Sequence, residues 1–218
     1  MRERHECNIL LEGIGIEGQG RLYQSRTLIV GVGGVGTFAA LGLAGLGVNL
    51  GLCDRDVVEP KNLNRQFLYC ENDIGKSKVE MAKKRIIGID GNLKVRTYGN
   101  IGEASPQDFD VVVDCTDNLE SRIAVSRMCK GAGRPLVYAS AVGYEARVAV
   151  FRRRYLHEIA IIGDYSKDCG SVGIFPPAAM AAGSIAASES AKVILGKGDG
   201  DYMLAASLQK NELKKIML

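Results

Sequence analysis

The sequence predicts an α/β fold: a Rossmann-like mixed β-sheet, parallel in its N-terminal half and antiparallel in its C-terminal half, with helices on both faces. Three observations predict it. Strand-like and helix-like segments alternate from residue 27 to 141, the pattern of a doubly wound parallel sheet. A glycine-rich turn, "GVGGVG" from Gly31 to Gly36, joins the first strand to the first helix. Beyond residue 141 the alternation breaks: "ARVAVFRRR" and "EIAIIGD" follow one another with no helix between them, and two short strands come last, which implies antiparallel pairing.

The elements read in order as follows. Thr27 to Val30 is a buried strand, and "TFAALGLAGLG" is an apolar helix that stops at Gly47. "VNLGLC" is a second strand. "DIGKSKVEMAKKRIIGI" carries apolar residues at helical spacing behind an Asp that can cap it, so a helix from Asp73 is expected. "LKVRTY" alternates as a half-buried strand. "FDVVVDC" is wholly apolar before its acid, hence central and parallel. "NLESRIAVSRMCKGAG" is a helix closed by Gly, and "RPLVYASAV" a fifth strand. "ARVAVFRRR" and "EIAIIGD" are strand-like. "PPAAMAAGSIAASESAKVIL" is one Ala-rich helix begun by Pro. "DYMLAASLQKNELKKIML" reads as two short antiparallel strands. Residues 1–218 are expected to form one domain, with residues 1–24 a segment that docks on a partner subunit because it has no hydrophobic stripe of its own.

The bulk properties exclude several functions. A net charge of +3 over 218 residues argues against a general nucleic-acid binder. There is no apolar run of transmembrane length and no signal-peptide layout, so no membrane partner and a cytoplasmic location are expected. The cysteines Cys7, Cys53, Cys70, Cys115, Cys129 and Cys169 form no C-x-x-C pair, and only His5 and His157 offer imidazoles. Zinc is therefore not expected, and any metal should be a hard cation on oxygen ligands.

The glycine-rich turn follows a strand and opens a helix, the setting in which backbone N–H groups meet a phosphate at a helix N-terminus. Asp54 ends the second strand about 20 residues on, where a carboxylate accepts ribose hydroxyls. This much suits NAD, FAD or ATP alike; a bare packing turn is the bland alternative. The stretch that follows, "DRDVVEPKNLNRQF", separates them. Asn62, Arg65 and Gln66 sit in a loop and Lys78 in the next helix, all at the carboxyl edge of the strands. Arg presents a planar fork to phosphate oxygens and Lys a point charge. Such an excess of cations fits a triphosphate, although most of the chain's basic residues, Lys83, Lys84 and Arg85 among them, are solvated surface. "DCTDN" places Asp114 and Asp117 at the same edge. A carboxylate beside a triphosphate needs a cation between them, so Asp117 is the candidate Mg²⁺ ligand. Asp114 reads instead as a cap or a buried hydrogen-bonding group, and Thr116 and Asp117 also qualify as helix caps.

Taken together, "GVGGVG", "DRDVVEPKNLNRQF", "DIGKSKVEMAKKR" and "DCTDN" resemble the ThiF/MoeB/HesA family, relatives of the ubiquitin-activating enzymes. The lead-in "GIGIEGQGRLYQSRTLIVG" matches as well, so the resemblance covers about residues 10 to 195. It implies a homodimer that binds ATP and Mg²⁺ and transfers AMP to a carboxylate, usually the C-terminal glycine of a ubiquitin-like sulfur carrier. It implies that Gly31, Gly33, Gly34 and Gly36 surround the phosphates and that Asp54 takes the ribose. Asn62, Arg65, Gln66 and Lys78 would hold phosphates, Asp117 would carry Mg²⁺, and Asp56 and Asn118 would support the site. An ionised carboxylate attacks the α-phosphate without a general base, so catalysis is positioning and charge neutralisation.

The sequence departs from the family in three places. The two zinc-binding C-x-x-C pairs are missing. The N-terminal arginine that reaches the partner's site is replaced by Cys7, leaving Arg2 or Arg4 as substitutes. Cys169, in "DCGSVGIFPP", matches a position where some relatives form a thioester, and an inert thiol is its bland alternative. The missing zinc pairs point to a small-molecule or peptide carboxylate as a second substrate class; the family member of the iron-guanylylpyridinol cofactor pathway is one such case. The loop from Ser140 to Val148, with Tyr144 and Arg147, is expected to face that carboxylate. The competing functions are an NAD-dependent oxidoreductase, which leaves Arg65, Lys78 and Asp117 without a task, and a non-catalytic adaptor subunit.

Overall fold

A computed structural model describes residues 3–159, 172–198 and 200–218. The strands are β1 (Arg26–Val30), β2 (Asn49–Cys53), β3 (Val95–Tyr98), β4 (Val111–Asp114), β5 (Leu136–Val142), β6 (Glu145–Phe151), β7 (Tyr202–Ser207) and β8 (Glu212–Met217). They form one sheet in the order β3-β2-β1-β4-β5-β6-β7-β8. Pairing is parallel from β3 through β5 and antiparallel from β5 to β8, as the sequence predicts. The helices are α1 (Glu6–Ile9), α2 (Gly15–Gln24), α3 (Gly34–Gly45), α4 (Lys78–Ile89), α5 (Leu119–Ala132) and α6 (Pro176–Ile194).

Alternation along the strands sends side chains to two cores. Ile29, Leu52, Val113 and Val137 meet α2, α3, α4 and α6 on one face. Leu28, Val112, Leu136 and Tyr138 meet α5 on the other. The alanines of α6 are explained by its place between α3 and the sheet: Ala178, Ala179, Ala182, Ala186 and Ala187 are all buried. A Cβ on Gly42 would lie 2.7 Å from Ala187, and one on Gly183 would meet Phe38 at 2.6 Å, so the two helices cross at backbone distance.

Three local expectations are corrected. The helix expected from Asp73 begins at Lys78, because Gly75 turns the chain at φ 81° and Ser77 bridges to Val57. The Asp73 carboxylate accepts from the Cys70 N–H and from Arg85 instead. The N-cap of α5 is Asn118, whose Oδ1 accepts from the Ser121 N–H at 2.9 Å, not Thr116 or Asp117. The expected loop from Ser140 to Val148 is a hairpin: Val142 pairs with Glu145, Gly143 and Tyr144 make the turn, and Arg147 pairs with Ser140 inside β6. Of "EIAIIGD", Glu158 closes a 3₁₀ turn and residues 160–164 lie outside the described residues, as does Cys169. The N-terminal segment packs on its own chain through His5, Gln19 and Leu22, while Leu10, Leu11 and Ile16 are exposed. Among the described residues no helix is long and apolar enough to cross a membrane.

Candidate functional site

In a sheet of this topology the strand order reverses between β1 and β4, and the crevice beyond their carboxyl ends is where ligands bind. The glycine-rich turn lies there. Gly31 ends β1 at φ 85°, and a Cβ on it would sit 2.8 Å from the Cys115 carbonyl oxygen. A Cβ on Gly36 would overlap the Gly31 carbonyl group. These two glycines are needed by the protein's own packing. Gly33 is different, because the nearest atom to its Cβ position is Gln66 Nε2 at 3.6 Å. Gly34 faces the Arg65 stem at 3.4 Å and Ala179 of α6 at 3.6 Å. Helix α3 therefore opens onto a cradle walled by Gln66, Arg65 and the start of α6. No side chain caps α3, so its first amide N–H groups are left for a ligand.

The neighbouring loop converges on the same edge. Asp54 accepts the Val32 N–H through Oδ2 at 2.8 Å and the Asp56 N–H through Oδ1 at 2.9 Å. Burial pushes its carboxyl above the ordinary value, opposed by those N–H groups and by Lys78. Each oxygen retains a lone pair for a ribose hydroxyl. Lys78 is buried and its Nζ pairs with Asp56 at 3.0 Å, with side-chain exposures of 7% and 60%. Arg65 is half-buried and donates from Nη1 to the Lys61 carbonyl and Asn64 Oδ1, both at 2.9 Å. Gln66 is buried with no hydrogen bond to its Oε1. Asn62 is buried too, but its Oδ1 caps the turn by accepting the Glu59 N–H at 3.1 Å, so its oxygen shapes the loop.

At the end of β4, Asp114 is buried and accepts from Thr116 N at 2.9 Å and Thr116 Oγ1 at 2.7 Å. Burial pushes its pKa up against the Thr116 hydrogen bonds and the Arg122 charge. Asp117 is exposed three residues beyond the strand, with Asn118 Nδ2 3.3 Å from its Oδ1. Among the described residues no group of three or more His, Cys, Asp or Glu could hold a metal ion. One carboxylate with phosphate oxygens is nonetheless the usual donor set of Mg²⁺ beside a nucleotide, and Asp117 fits it.

The chain that carries this glycine cradle, with its acid just beyond β2, its Arg–Gln loop and its D-x-x-D turn, matches the ThiF family model over residues 5–217. The chain belongs to the ThiF family. It is 35% identical over 209 residues to a molybdopterin-synthase adenylyltransferase of Haemophilus influenzae, covering 89% of this chain and 85% of the relative. It is 32% identical over 209 residues to the sulfur carrier protein ThiS adenylyltransferase of Escherichia coli, covering 88% and 81%. Another relative, a probable molybdopterin-synthase adenylyltransferase of Gracilaria tenuistipitata var. liui, is 33% identical over 99% of this chain, which spans 64% of that relative's length. Among solved structures, PaaA superposes with a TM-score of 0.81 at 27% identity, over 99% of this chain and 73% of that one. E. coli MccB with MccA-N7isoASN has the same fold, with a TM-score of 0.84 at 22% identity over 97% and 71%.

In this ThiF-family chain, two site-lining residues escape sequence reading. Tyr69 is buried and donates its hydroxyl to the Val32 carbonyl at 2.8 Å, fastening the Arg65–Gln66 loop to the glycine turn. Arg122 lies on the buried face of α5 with Val125, Ser126 and Cys129. An arginine on a helical stripe that periodicity marks as core was the available signal. Arg4, one substitute for the partner-reaching arginine, is tied within its own chain to the Ile89 carbonyl and, at 3.6 Å, to Asp90.

Proposed function

We propose that the chain is an ATP-dependent adenylyltransferase that activates a carboxylate as an acyl-adenylate and releases pyrophosphate. The carrying observation is the open cradle over Gly33, walled by Gln66 and the Arg65 stem, with buried Lys78 at the same edge. In this reading Gly31, Gly33, Gly34 and Gly36 shape the phosphate cradle and Asp54 takes the ribose. Asn62 holds the loop in which Arg65 and Gln66 meet the phosphates. Lys78 leaves Asp56 for a phosphate oxygen; Asp56 is solvated enough to be released at little cost. Asp117 would hold Mg²⁺, which neutralises phosphate charge when bound, and Asn118 orients Asp117.

The reaction balances without an acid or a base. A carboxylate oxygen forms a bond to the α-phosphorus, the bond to the bridging oxygen breaks, and pyrophosphate leaves with the electron pair. What the residues supply is alignment of two anions and a field that lowers their repulsion.

The C-terminal glycine of a ubiquitin-like sulfur carrier is the first substrate class, supported by relatives named for molybdopterin synthase and ThiS. A small-molecule carboxylate, such as guanylylpyridinol, is the second. Exposed Tyr144 and Phe175, their rings 4.9 Å apart at the carboxyl end of β5 and the start of α6, favour it as a seat for a planar acid. A homodimer is supported by exposed Leu10, Leu11 and Ile16, and a cytoplasmic location is part of the same proposal.

Carboxylate-dependent exchange of labelled pyrophosphate into ATP tests the activity. Exchange that requires a Gly-Gly-tailed protein selects the first substrate class, and exchange with a pyridine carboxylate selects the second. Thermal stabilisation by NADH but not by ATP overturns the proposal in favour of an oxidoreductase. ATP binding without exchange with any acid points to an adaptor. Intact activity in Cys169→Ser removes the thioester step.

A further inference from the structure

The turn that presents Asp117 is held by more apparatus than a helix start requires. A single N-cap suffices to begin a helix, and Asn118 provides it. Yet Thr116, the residue before Asp117, is gripped from two sides by buried charged groups. Asp114, wholly buried at the end of β4, accepts both the Thr116 N–H and its hydroxyl through one oxygen. Arg122, on the first turn of α5, donates from Nε at 3.2 Å and Nη2 at 3.1 Å to the Thr116 carbonyl. Its guanidinium lies 5.2 Å above the ring of buried Tyr138, which pairs in register with Asp114 on β5. The donor, acceptor and hydroxyl of Thr116 are thus all engaged by side chains rooted in the sheet and in α5.

Buried charges are poor providers of net stability, since well-packed apolar groups in their place are often neutral or better. What such a pair supplies is position. We propose that Asp114 and Arg122 are positioning residues that set the carboxylate of Asp117 for its cation by clamping Thr116. The inference rests on the proposed reading in which Asp117 carries Mg²⁺. With Thr116 clamped on one side and the Asn118 cap fixed to α5 on the other, Asp117 has little backbone freedom and no capping duty of its own. Partners behind a metal ligand typically tune affinity about 10–100-fold, so the clamp should be read in metal binding before it is read in folding.

The test measures Mn²⁺ binding by electron paramagnetic resonance, with a non-hydrolysable ATP analogue present, and separately measures analogue binding without metal. Arg122→Lys and Asp114→Asn are expected to weaken Mn²⁺ binding about 10–100-fold and Thr116→Val less. Metal-free analogue binding should stay within about twofold. Val125→Ala, a core truncation on the same helix face, is expected to lower the melting temperature while holding Mn²⁺ as the wild type does. The clamp is overturned if Arg122→Lys and Asp114→Asn hold Mn²⁺ as tightly as Val125→Ala. Should both charge variants fail to fold, Thr116→Val decides, and unchanged Mn²⁺ affinity in it overturns the clamp. Loss of Mn²⁺ in Asp117→Ala with none in the clamp variants overturns the clamp alone. Equal binding by wild type and Asp117→Ala overturns the metal reading and the clamp together.

Discussion

Gly33 and Gly36 lie three residues apart in one motif, and the structure assigns them opposite reasons for being glycine. A methyl group at Gly33 meets nothing closer than Gln66 Nε2 at 3.6 Å, which is ordinary contact. Its φ of −90° is open to any residue, so Gly33→Ala should melt close to wild type. The larger effect falls on the ligand. A methyl carbon keeps an oxygen about 3.3 Å away, whereas an amide-to-phosphate hydrogen bond needs about 2.9 Å. Loss of one such charge-assisted bond, about 1.5–3 kcal/mol, raises the Kd for ATP about 10–100-fold. Gly36→Ala does the reverse: its methyl overlaps the Gly31 carbonyl, 3.0 Å from the carbonyl carbon, and the turn must open. Overpacking of that kind costs about 1–3 kcal/mol, a fall of about 2–12 °C. Calorimetric titration with ATP and thermal melts of both variants separate the two roles. Wild-type ATP affinity in a folded Gly33→Ala would refute the reasoning, because the cradle would then hold no phosphate.

Lys78→Met is expected to raise the Kd for ATP about 10–100-fold, as for one lost charge-assisted contact. The fold should survive it, since the abandoned partner Asp56 is solvated; titration and melting check both halves. Asp73 faces a different test. Burial works to raise its pKa, but hydrogen bonds from the Cys70 thiol and N–H, with the Arg85 charge, outweigh it and leave the carboxyl below its ordinary value. A depressed carboxyl contributes stability that is present above the unfolded pKa and lost as the pH falls through the folded one. Asp73→Asn should therefore melt below wild type at pH 7, with the gap closing below about pH 4; a constant gap across the range refutes this. Thiol labelling of the native protein should be fast at exposed Cys7 and Cys70. Burial pushes Cys53 and Cys129 up to about 12 and Cys115 well above its ordinary value, so these should label only in denaturant, as mass spectrometry of the tryptic peptides will show.

The sequence by itself determined the class of sheet, its change from parallel to antiparallel pairing, and the edge at which Asp54, Lys78 and Asp117 gather. Those features follow from hydrophobic period and from acids placed just beyond apolar strands, both of which are local. Boundaries were less legible where a tertiary contact outbid local propensity. Asp73 has the chemistry of a cap, yet Arg85 and the Cys70 N–H claim its carboxylate and Gly75 turns the chain before the helix starts. Ser140 to Val148 reads as a loop until the register of β5 against β6 closes it into a hairpin. Only the folded structure decided which glycines serve the protein and which leave room for a ligand, because a Cβ clash depends on what comes back to meet it: the Cys115 backbone at Gly31, and no more than ordinary contact with Gln66 at Gly33. Only it decided that Arg122 is clamped beneath Thr116, since that meeting joins the start of α5 to the end of β4 through side-chain direction, which periodicity does not carry.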